Sequence, residues 1–275
     1  MDLSNDNVIH VKKDGVEYLQ FRRLLEYENV AHAYALKPTD VRMHQDNNVY
    51  EQYGKILNAC GMELNTLLRP TQTHTDTIFV IEDKKNQDEP DIYMDYLENV
   101  DGTITKKENI TLASTNADCI LIIFYDPVKK VIANVHSGWR GTFKKISKKI
   151  VNMMKEECGC NPADIIACIC PSIRMCHFEV HDDVQSECEE VFKYTGRLDE
   201  IIKLGEIKED KQKYFIDLIL ITKILLGEEG LLPENIIDSG ICSVCNHEHI
   251  NSRRGDGGDF GLGCAIIGMH SGDVR

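Results

Sequence analysis

A chain of 275 residues with 42% hydrophobic side chains is long enough to bury a substantial core. Its 45 acidic residues outnumber its 31 basic residues, which gives a formal net charge of −14 at pH 7. This acidic balance argues against nucleic acid and against an anionic membrane as the main partner, because both require a basic surface. It still allows a local basic pocket for phosphate.

The N-terminal stretch MDLSNDNVIHVKKDG contains no apolar core of a signal peptide. No later stretch offers about 18 uninterrupted apolar residues, the length of a membrane-spanning helix. We therefore expect a soluble, cytoplasmic protein. The chain has eleven cysteines, but in a reducing compartment free thiols are their default state.

The sequence alternates between patterns typical of strands and patterns typical of helices. Strands are predicted at 8–25 (one or two, around an Asp14-Gly15 turn), 78–80, 120–125, 131–135, 165–170, 236–241 and 264–269. Helices are predicted at 47–60, 142–158, 182–194 and 214–226, and a polar surface loop at 82–91. The chain contains no internal repeat and no recognisable linker, so we predict one domain over residues 1–275.

One stretch, STNADCILIIFYDPVKKVIANVHSGWRG, predicts a β-hairpin with reactive side chains at its open end. Cys119 and His136 lie at equal sequence distances from the Pro127–Val128 bond, so tight antiparallel pairing would make them cross-strand neighbours. Their Cβ atoms would then be roughly 5 Å apart, which lets a thiolate and an imidazole share an ion or a proton. An antiparallel hairpin also excludes a purely parallel sheet, so the pattern predicts α and β structure with a mixed sheet.

The residues after His136 add a cation and a helix start to the same strand end. Gly138 and Arg140 precede the predicted helix 142–158, so an imidazole, a guanidinium and a helix N-terminus are expected to converge there. This combination suits an anion that is held beside a metal ion. A structural salt bridge is the alternative role for Arg140, because the chain has many acidic residues.

The motifs TNADC and VHSGWRG resemble the TADC and VHAGWRG signatures of the YfiH-like proteins. This family was first labelled laccase-domain or multicopper polyphenol oxidases, and its better-supported activity is purine nucleoside phosphorolysis at a zinc site. The resemblance extends over most of the chain. Further matches are Gln72-Thr73-His74 with Q-x-H, Asp101-Gly102 with D-G/A, Pro171, Cys176, Phe178, Glu179 and Val180 with GPxIGxxxFEV, and Ser252-Arg253-Arg254 with SYRRD.

The resemblance implies both a fold and a metal site. Family members form a four-layer α/β/β/α sandwich with mixed sheets, so we expect this α+β architecture here. The implied metal ligands are His74, Cys119 and His136, a set that leaves a fourth zinc position open for water or substrate. Each of them taken singly could instead be a buried thiol or a hydrogen-bonded core histidine.

Copper is the alternative metal, because it also accepts cysteine and histidine ligands. Laccase chemistry needs several coppers and many histidines, whereas this chain has ten histidines in total. Only His74 and His136 stand at family motif positions, so we expect zinc.

Arginines and a lysine are the candidate phosphate ligands. Arg140 is joined by Arg253 and Arg254, which precede a glycine-rich stretch whose backbone N–H groups could also contact phosphate. Lys37 stands where the family has the arginine of TRxGG. A lysine can hold phosphate as a point charge but cannot make the bidentate contact of an arginine.

Three further polar residues are assigned to the candidate site. Asp118 could orient a ligand histidine, Glu179 could act on the purine or the ribose, and Gln72 could hydrogen-bond the base or a water on the metal. Ser252 replaces the tyrosine that is usual in the family.

A second cysteine motif is a rival candidate for metal binding. Cys242-x-x-Cys245 is followed by His247 and His249, and these residues could form a small structural zinc knuckle. All four lie in one eight-residue stretch, without the second half that zinc ribbons and fingers need.

The sequence favours a zinc-dependent purine nucleoside phosphorylase that acts on adenosine, inosine or methylthioadenosine, with adenosine deamination as a second activity the site could support. One alternative is a hydrolase in which Cys119 and His136 cleave an amide or ester, as in peptidoglycan-precursor editing. Such a hydrolase would not need His74, whereas the metal site would. A copper-dependent polyphenol oxidase and a metal-dependent binding module are the remaining alternatives.

Overall fold

The computed structural model describes residues 1–43, 48–63, 66–82, 93–208 and 211–270. Its strands are β1 (Val8–Lys13), β2 (Val16–Phe21), β3 (Val30–Ala35), β4 (Leu67–Thr71), β5 (Ile78–Ile81), β6 (Tyr93–Glu98), β7 (Gly102–Thr105), β8 (Thr111–Asn116), β9 (Ile120–Asp126), β10 (Val131–Ser137), β11 (Ile166–Ile169), β12 (Glu179–Val180), β13 (Ile202–Lys208), β14 (Lys211–Ile216), β15 (Ile236–Asp238) and β16 (Gly263–Met269). Its α-helices are α1 (Val49–Ala59), α2 (Trp139–Phe143), α3 (Ile146–Cys158), α4 (Asp182–Phe192), α5 (Leu198–Ile201), α6 (Leu218–Glu228) and α7 (Arg253–Asp256). Apart from residue 82, the loop predicted at 82–91 lies outside the described residues.

Two large mixed sheets form the centre of the fold. The first has the strand order β1-β2-β3-β16-β8-β4-β6, in which β4 runs parallel to β8 and β6. The second has the order β15-β11-β9-β10-β7-β5, with parallel pairs at both edges. A small antiparallel sheet, β12-β14-β13, completes the strand pairing among the described residues.

Three apolar clusters join these elements into four layers. One cluster, which includes Leu121 and Ile267, fills the space between the two large sheets. A second cluster packs α1, through Tyr53, against the outer face of the first sheet. A third packs α3 and α6, through Ile150 and Leu225, against the outer face of the second sheet. The four-layer α/β/β/α sandwich expected from the family resemblance is confirmed.

β9 and β10 form the predicted hairpin, but the centre of their turn lies one residue later in the chain than expected. Asp126 Oδ1 accepts two backbone N–H groups at 2.8 and 2.9 Å, which closes a four-residue loop before Val131. His136 therefore pairs with Leu121, and the predicted direct pairing of Cys119 with His136 is wrong. Because the pairing differs by two residues, Cys119 still points to the same face of the sheet as His136.

Two helices begin or break at residues that the sequence did not predict. The helix expected at 142–158 is two helices, α2 and α3, because Lys145 between them has a left-handed φ of 61°. The helix expected at 214–226 begins later, since 214–216 belong to β14 and Asp217 caps α6 by accepting Leu220 N–H at 2.9 Å. No helix of the described ranges combines the length and apolar character needed to cross a membrane.

Buried His32 in β3 makes the stability of the fold depend on pH. Its Nε2 accepts the backbone N–H of Phe21 at 2.7 Å, and burial lowers the pKa of His32 to about 3 from an ordinary value of 6.5. Between these values the unfolded chain binds a proton that the folded chain does not. The free energy of unfolding should therefore fall by about 1.4 kcal/mol for each pH unit below the ordinary pKa.

Urea denaturation at about pH 7 and about pH 5 measures this contribution. We expect His32→Gln, which keeps a side-chain acceptor, to reduce the stability difference between the two conditions by about 2 kcal/mol relative to the unmodified protein. His181→Gln, at an exposed position, should keep the full difference. An unchanged difference in His32→Gln would show that His32 is not the group that titrates.

Candidate metal centre and cavity

A tight loop after β4 carries the first histidine of the site. His74 has a left-handed φ of 62°, an uncommon conformation for a residue other than glycine. The backbone N–H groups of Thr73, His74 and Thr75 all donate to the carboxylate of Asp101, at 3.3, 3.1 and 2.7 Å. The loop is thus wound around one buried carboxylate, which fixes the position of His74.

The same carboxylate orients the second histidine. His136 lies near the end of β10, and its Nδ1 is 2.7 Å from Asp101 Oδ1, with both side chains buried. Burial raises the pKa of Asp101, but hydrogen bonds from His136 and Thr75 outweigh it and lower this pKa below its usual value. An ionised Asp101 accepts the Nδ1 proton, so Nε2 of His136 is available as a ligand.

His74, Cys119 and His136 come together at a spacing that suits one zinc ion. The ligand atoms of the three residues all lie within 4.8 Å of one another, and Cys119 Sγ is 3.8 Å from His74 Nε2. A sulfur and a nitrogen ligand of tetrahedral zinc are ~3.6 Å apart, given bond lengths of ~2.3 and ~2.1 Å. The donor set and its spacing therefore fit zinc, and three ligands leave a fourth position open.

The charges of the cluster favour the ligand form of the thiol. Burial raises the pKa of Cys119, but the nearby His136 and His74 outweigh it and lower this pKa to about 6. Burial lowers the pKa of His136, but the Cys119 thiolate and Asp101 raise it to about 9. The pair is thus a thiolate beside an imidazolium, and a metal cation would replace the imidazolium proton.

Gly138 approaches this cluster so closely that a side chain there would displace the ligands. An added Cβ would lie 2.7 Å from His74 Cδ2 and 3.3 Å from Cys119 Sγ. We expect Gly138→Ala to lower the affinity of the cluster for zinc at least about 10-fold, an effect typical of misplaced metal ligands. Metal titration of the purified variant checks this expectation.

Gly54→Ala is the matched control for this substitution. Gly54 lies within α1, and an added Cβ there would meet nothing within 4 Å. This control should bind zinc as the unmodified protein does. Equal zinc affinity in Gly138→Ala would show that the cluster does not depend on the close approach of Gly138.

An open cavity of about 880 Å³ contains the cluster. Its polar lining includes Gln72, Thr115 and Asn116, beside the three candidate ligands. Its apolar wall is formed by Trp139, Ile173, Phe178, Leu218, Phe260 and Leu262. A volume of this size, in which one apolar wall faces convergent polar and charged side chains, is typical of a small-molecule site.

Two arginines supply positive charge to this cavity. Arg140 Cζ lies 4.2 Å from the centre of the Trp139 ring, and Arg253 Cζ lies 5.9 Å from the centre of the Phe260 ring. Both side chains line the cavity, and neither guanidinium has a hydrogen-bond or ion-pair partner in the described part of the chain. Both guanidiniums are therefore available to anions in the cavity. The salt bridge considered for Arg140 is not found among the described residues.

Arg254 lines the same cavity but already has protein partners. Its guanidinium donates to the backbone carbonyls of His177, at 3.0 Å, and Glu179, at 3.5 Å. Its backbone N–H donates to Asp118 at 2.7 Å. Arg254 therefore ties together the segments that form the cavity wall.

Asp118 has different contacts from those predicted. Its carboxylate accepts the hydroxyls of Ser243 and Ser252, each at 2.6 Å, besides the backbone of Arg254. The carboxylate that orients a ligand histidine is Asp101, which the sequence marked only as part of an Asp-Gly match. Asp118 instead holds the loop that carries the arginines.

Three other predicted residues are also held by the protein. Lys37 Nζ contacts Asp256 at 2.8 Å and donates to a backbone carbonyl at 2.7 Å, and it does not line the cavity. Glu179 lies 3.2 Å from Lys213 Nζ and is likewise absent from the cavity wall. Gln72 lines the cavity, but both ends of its amide bond Thr115, at 3.0 and 2.8 Å. The phosphate and catalytic roles predicted for Lys37 and Glu179 are therefore not supported by their positions.

A second group of metal-binding side chains comes from two segments, one of which lies between the cavity-wall residues Ile173 and Phe178. Cys242 and Cys245 do approach each other, but their other neighbours are Cys176 and His177. The knuckle considered as a rival, with His247 and His249 as ligands, is not formed, because His247 Nδ1 contacts Asp256 at 3.1 Å and neither histidine joins the group.

Comparisons with known proteins relate the chain to several others. A family model described as multi-copper polyphenol oxidoreductase laccase matches residues 36–270. Purine nucleoside phosphorylase YlmD of Bacillus subtilis is 30% identical over 232 residues, which cover 84% of this chain and 81% of that protein. Adenosine deaminase RL5 of an unknown prokaryotic organism is 32% identical over 195 residues, 70% of this chain and 71% of the relative. The crystal structure of the hypothetical protein YfiH of Bacillus licheniformis has a TM-score of 0.83 and 26% identity, with coverage of 96% of this chain and 100% of that chain.

Proposed function

Because the chain belongs to the multi-copper polyphenol oxidoreductase laccase family, in which a relative is named a purine nucleoside phosphorylase, we propose that it is a zinc-dependent purine nucleoside phosphorylase. Adenosine, inosine and methylthioadenosine are the candidate substrates, with phosphate as the second substrate. The resemblance to YfiH-like proteins is confirmed by the family match and by the similarity to YfiH.

The observation that carries this proposal is the arrangement of one cavity. It combines a three-ligand metal cluster with an open position, an apolar wall, and two arginines that lack hydrogen-bond and ion-pair partners among the described residues. A purine has flat apolar faces that suit the rings of Phe178 and Phe260. Phosphate is an anion that suits the fork of donors on Arg140 and Arg253.

In the proposed reaction, a phosphate oxygen bonds to ribose C1′ as the C1′–N9 bond to the purine breaks. Arg140 and Arg253 place the phosphate and stabilise its charge, and the apolar wall holds the purine and excludes water. Asp101 keeps His136 oriented toward the cluster. A zinc ion held by His74, Cys119 and His136 would supply a Lewis acid for the substrate atom that it contacts.

Zinc is proposed rather than copper because of the donors available. Two groups of metal-binding side chains occur in the described part of the chain, and only the group at the cavity contains two histidines. Laccase chemistry requires several coppers held mainly by histidines. One thiolate with two imidazoles and an open position is instead a zinc arrangement.

The contacts of Cys119 support a second candidate function. The Asp101 carboxylate contacts the His136 imidazole, and His136 in turn lowers the pKa of the Cys119 thiol. A carboxylate, a base and a nucleophile are linked in this way in cysteine hydrolases. Metal-free protein could then cleave an amide or an ester with Cys119 as the nucleophile. This function has no need of His74.

Product analysis tests the proposal. Purified protein with its bound zinc quantified is incubated with adenosine or inosine, with and without phosphate, and free base, ribose 1-phosphate and ammonia are measured. Phosphate-dependent release of base with an equal amount of ribose 1-phosphate supports phosphorolysis. Ammonia from adenosine without base release would indicate deamination, and two unchanged nucleosides would contradict the proposal and favour amide or ester hydrolysis.

The proposal includes a cytoplasmic location and a single domain over residues 1–275. Eleven free cysteines, among them both metal-binding groups, support a reducing compartment. The residues that line the cavity are spread between Gln72 and Leu262, over most of the chain, which supports one domain.

A further inference from the structure

The second cysteine group contains four side chains that converge from two separate segments. Cys176 and His177 follow β11, and Cys242 and Cys245 lie in the turns after β15. Their ligand atoms all lie within 4.8 Å of one another. Sixty-six residues separate Cys176 from Cys242, so the fold itself brings the two pairs together.

The distances within this group match the edges of a zinc tetrahedron. Cys176 Sγ lies 3.7 Å from Cys242 Sγ and 3.9 Å from Cys245 Sγ. His177 Nδ1 lies 3.2, 3.7 and 3.5 Å from the sulfurs of Cys176, Cys242 and Cys245. Tetrahedral zinc with bonds of ~2.3 Å to sulfur and ~2.1 Å to nitrogen has edges of ~3.8 Å between sulfurs and ~3.6 Å between sulfur and nitrogen.

We propose that Cys176, His177, Cys242 and Cys245 bind a second, structural zinc ion. Three thiolates and one imidazole are a donor set of structural zinc sites, and four protein ligands close the coordination shell. Soft thiolates in a tetrahedral arrangement select zinc over magnesium, calcium or manganese. A disulfide between two of the cysteines would leave one thiol and the imidazole unused, whereas one zinc ion uses all four.

The site joins two segments that position the cavity wall. Ser172 and Cys242 form a parallel bridge, and Ser243 N–H donates to the carbonyl of Ser172 at 3.0 Å. Ser243, between the two cysteines of the turn, donates its hydroxyl to Asp118. The carbonyl of His177 accepts from Arg254. The zinc ion would therefore fix the loops that hold Asp118 and Arg254, without contacting substrate.

Metal counting in the full-length protein tests the proposal. Purified without chelator, the unmodified protein is expected to hold two zinc equivalents. Cys245→Ala should lose one equivalent, Cys119→Ala should lose the other, and the double variant should lose both. Cys60→Ala, which removes a half-buried thiol outside both groups, should keep two. Loss of no zinc in Cys245→Ala would overturn the proposal.

Thiol labelling of the unmodified protein tests the same proposal if Cys245→Ala does not fold. Cys176 and Cys245 are exposed, so as free thiols they would be accessible to iodoacetamide. Bound to zinc, they should be protected until a chelator is added, as mass spectrometry of the labelled peptides would show. Equal labelling before and after chelation, or a disulfide among the three cysteines in freshly purified protein, would overturn the proposal. Neither result depends on nucleoside phosphorolysis.

Discussion

Replacing Cys119 by alanine is expected to lower phosphate-dependent base release from inosine by roughly three orders of magnitude. The substitution removes the only sulfur ligand of the cavity cluster among the described residues, and with it the negative charge that balances a bound cation. The remaining ligands, His74 and His136, cannot hold zinc at the same affinity. Several kcal/mol of charge stabilisation in the transition state would be lost, which corresponds to the expected fall in rate.

Steady-state rates of ribose 1-phosphate formation, measured with bound zinc, check this prediction. Cys60→Ala is the matched control, because Cys60 is also half-buried but caps α1 away from the cavity. The control should retain the full rate and the full zinc content. A Cys119→Ala protein that is folded and nearly as active would rule out the cavity cluster as the catalytic centre.

Asp101→Asn is the second substitution with a large expected effect. The carboxylate accepts the backbone of Thr73, His74 and Thr75 and also contacts His136 Nδ1. The amide nitrogen of asparagine cannot accept the hydrogen bonds made to the oxygen that it replaces, so the donors on that side lose their partner. We expect a loss of about 2–4 kcal/mol in the free energy of unfolding and a loss of about 10- to 100-fold in zinc affinity.

Denaturant unfolding and zinc titration of the same samples separate the two effects. Asp76→Asn is the control, since Asp76 lies just after the same loop but pairs with Lys144 and Lys149 at the surface. Its stability cost should be at most about 1 kcal/mol, with unchanged zinc affinity. If Asp101→Asn behaved like this control, Asp101 would not be the group that positions the two histidines.

Elements built from one uninterrupted apolar run could be predicted from the sequence. All residues of β9 and β16 are buried, and a short apolar run rich in isoleucine is typical of a strand that is covered on both faces. The hairpin register could not be predicted in the same way. It depends on Asp126, whose side chain accepts two backbone N–H groups within the turn, and the partner of His136 is displaced by two residues as a result.

The secondary structure of short segments with mixed patterns depends on contacts with residues distant in sequence. Residues 214–216 fit the start of a helix, but they become strand because β14 pairs with both β12 and β13. The helix begins only where Asp217 can cap it. Local pattern alone gives no information about such partners, and the three-stranded sheet was therefore missed.

The same limit applies to the candidate site. The three cavity ligands could be named because each stands in a motif, whereas the roles of their supporting residues depend on strand order. β7 pairs with β10, and this pairing brings Asp101, the residue before β7, beside His136. Likewise, only the folded chain brings Cys176 to Cys242.

The most direct test of the proposed metal centre is the rate of ribose 1-phosphate formation in His74→Ala, measured together with its bound zinc. A zinc-dependent phosphorylase needs this ligand, whereas a Cys119–His136 hydrolase does not. We predict that His74→Ala loses both the zinc of the cavity cluster and the phosphate-dependent activity while it keeps its fold. Full activity in a His74→Ala protein without that zinc would contradict the account.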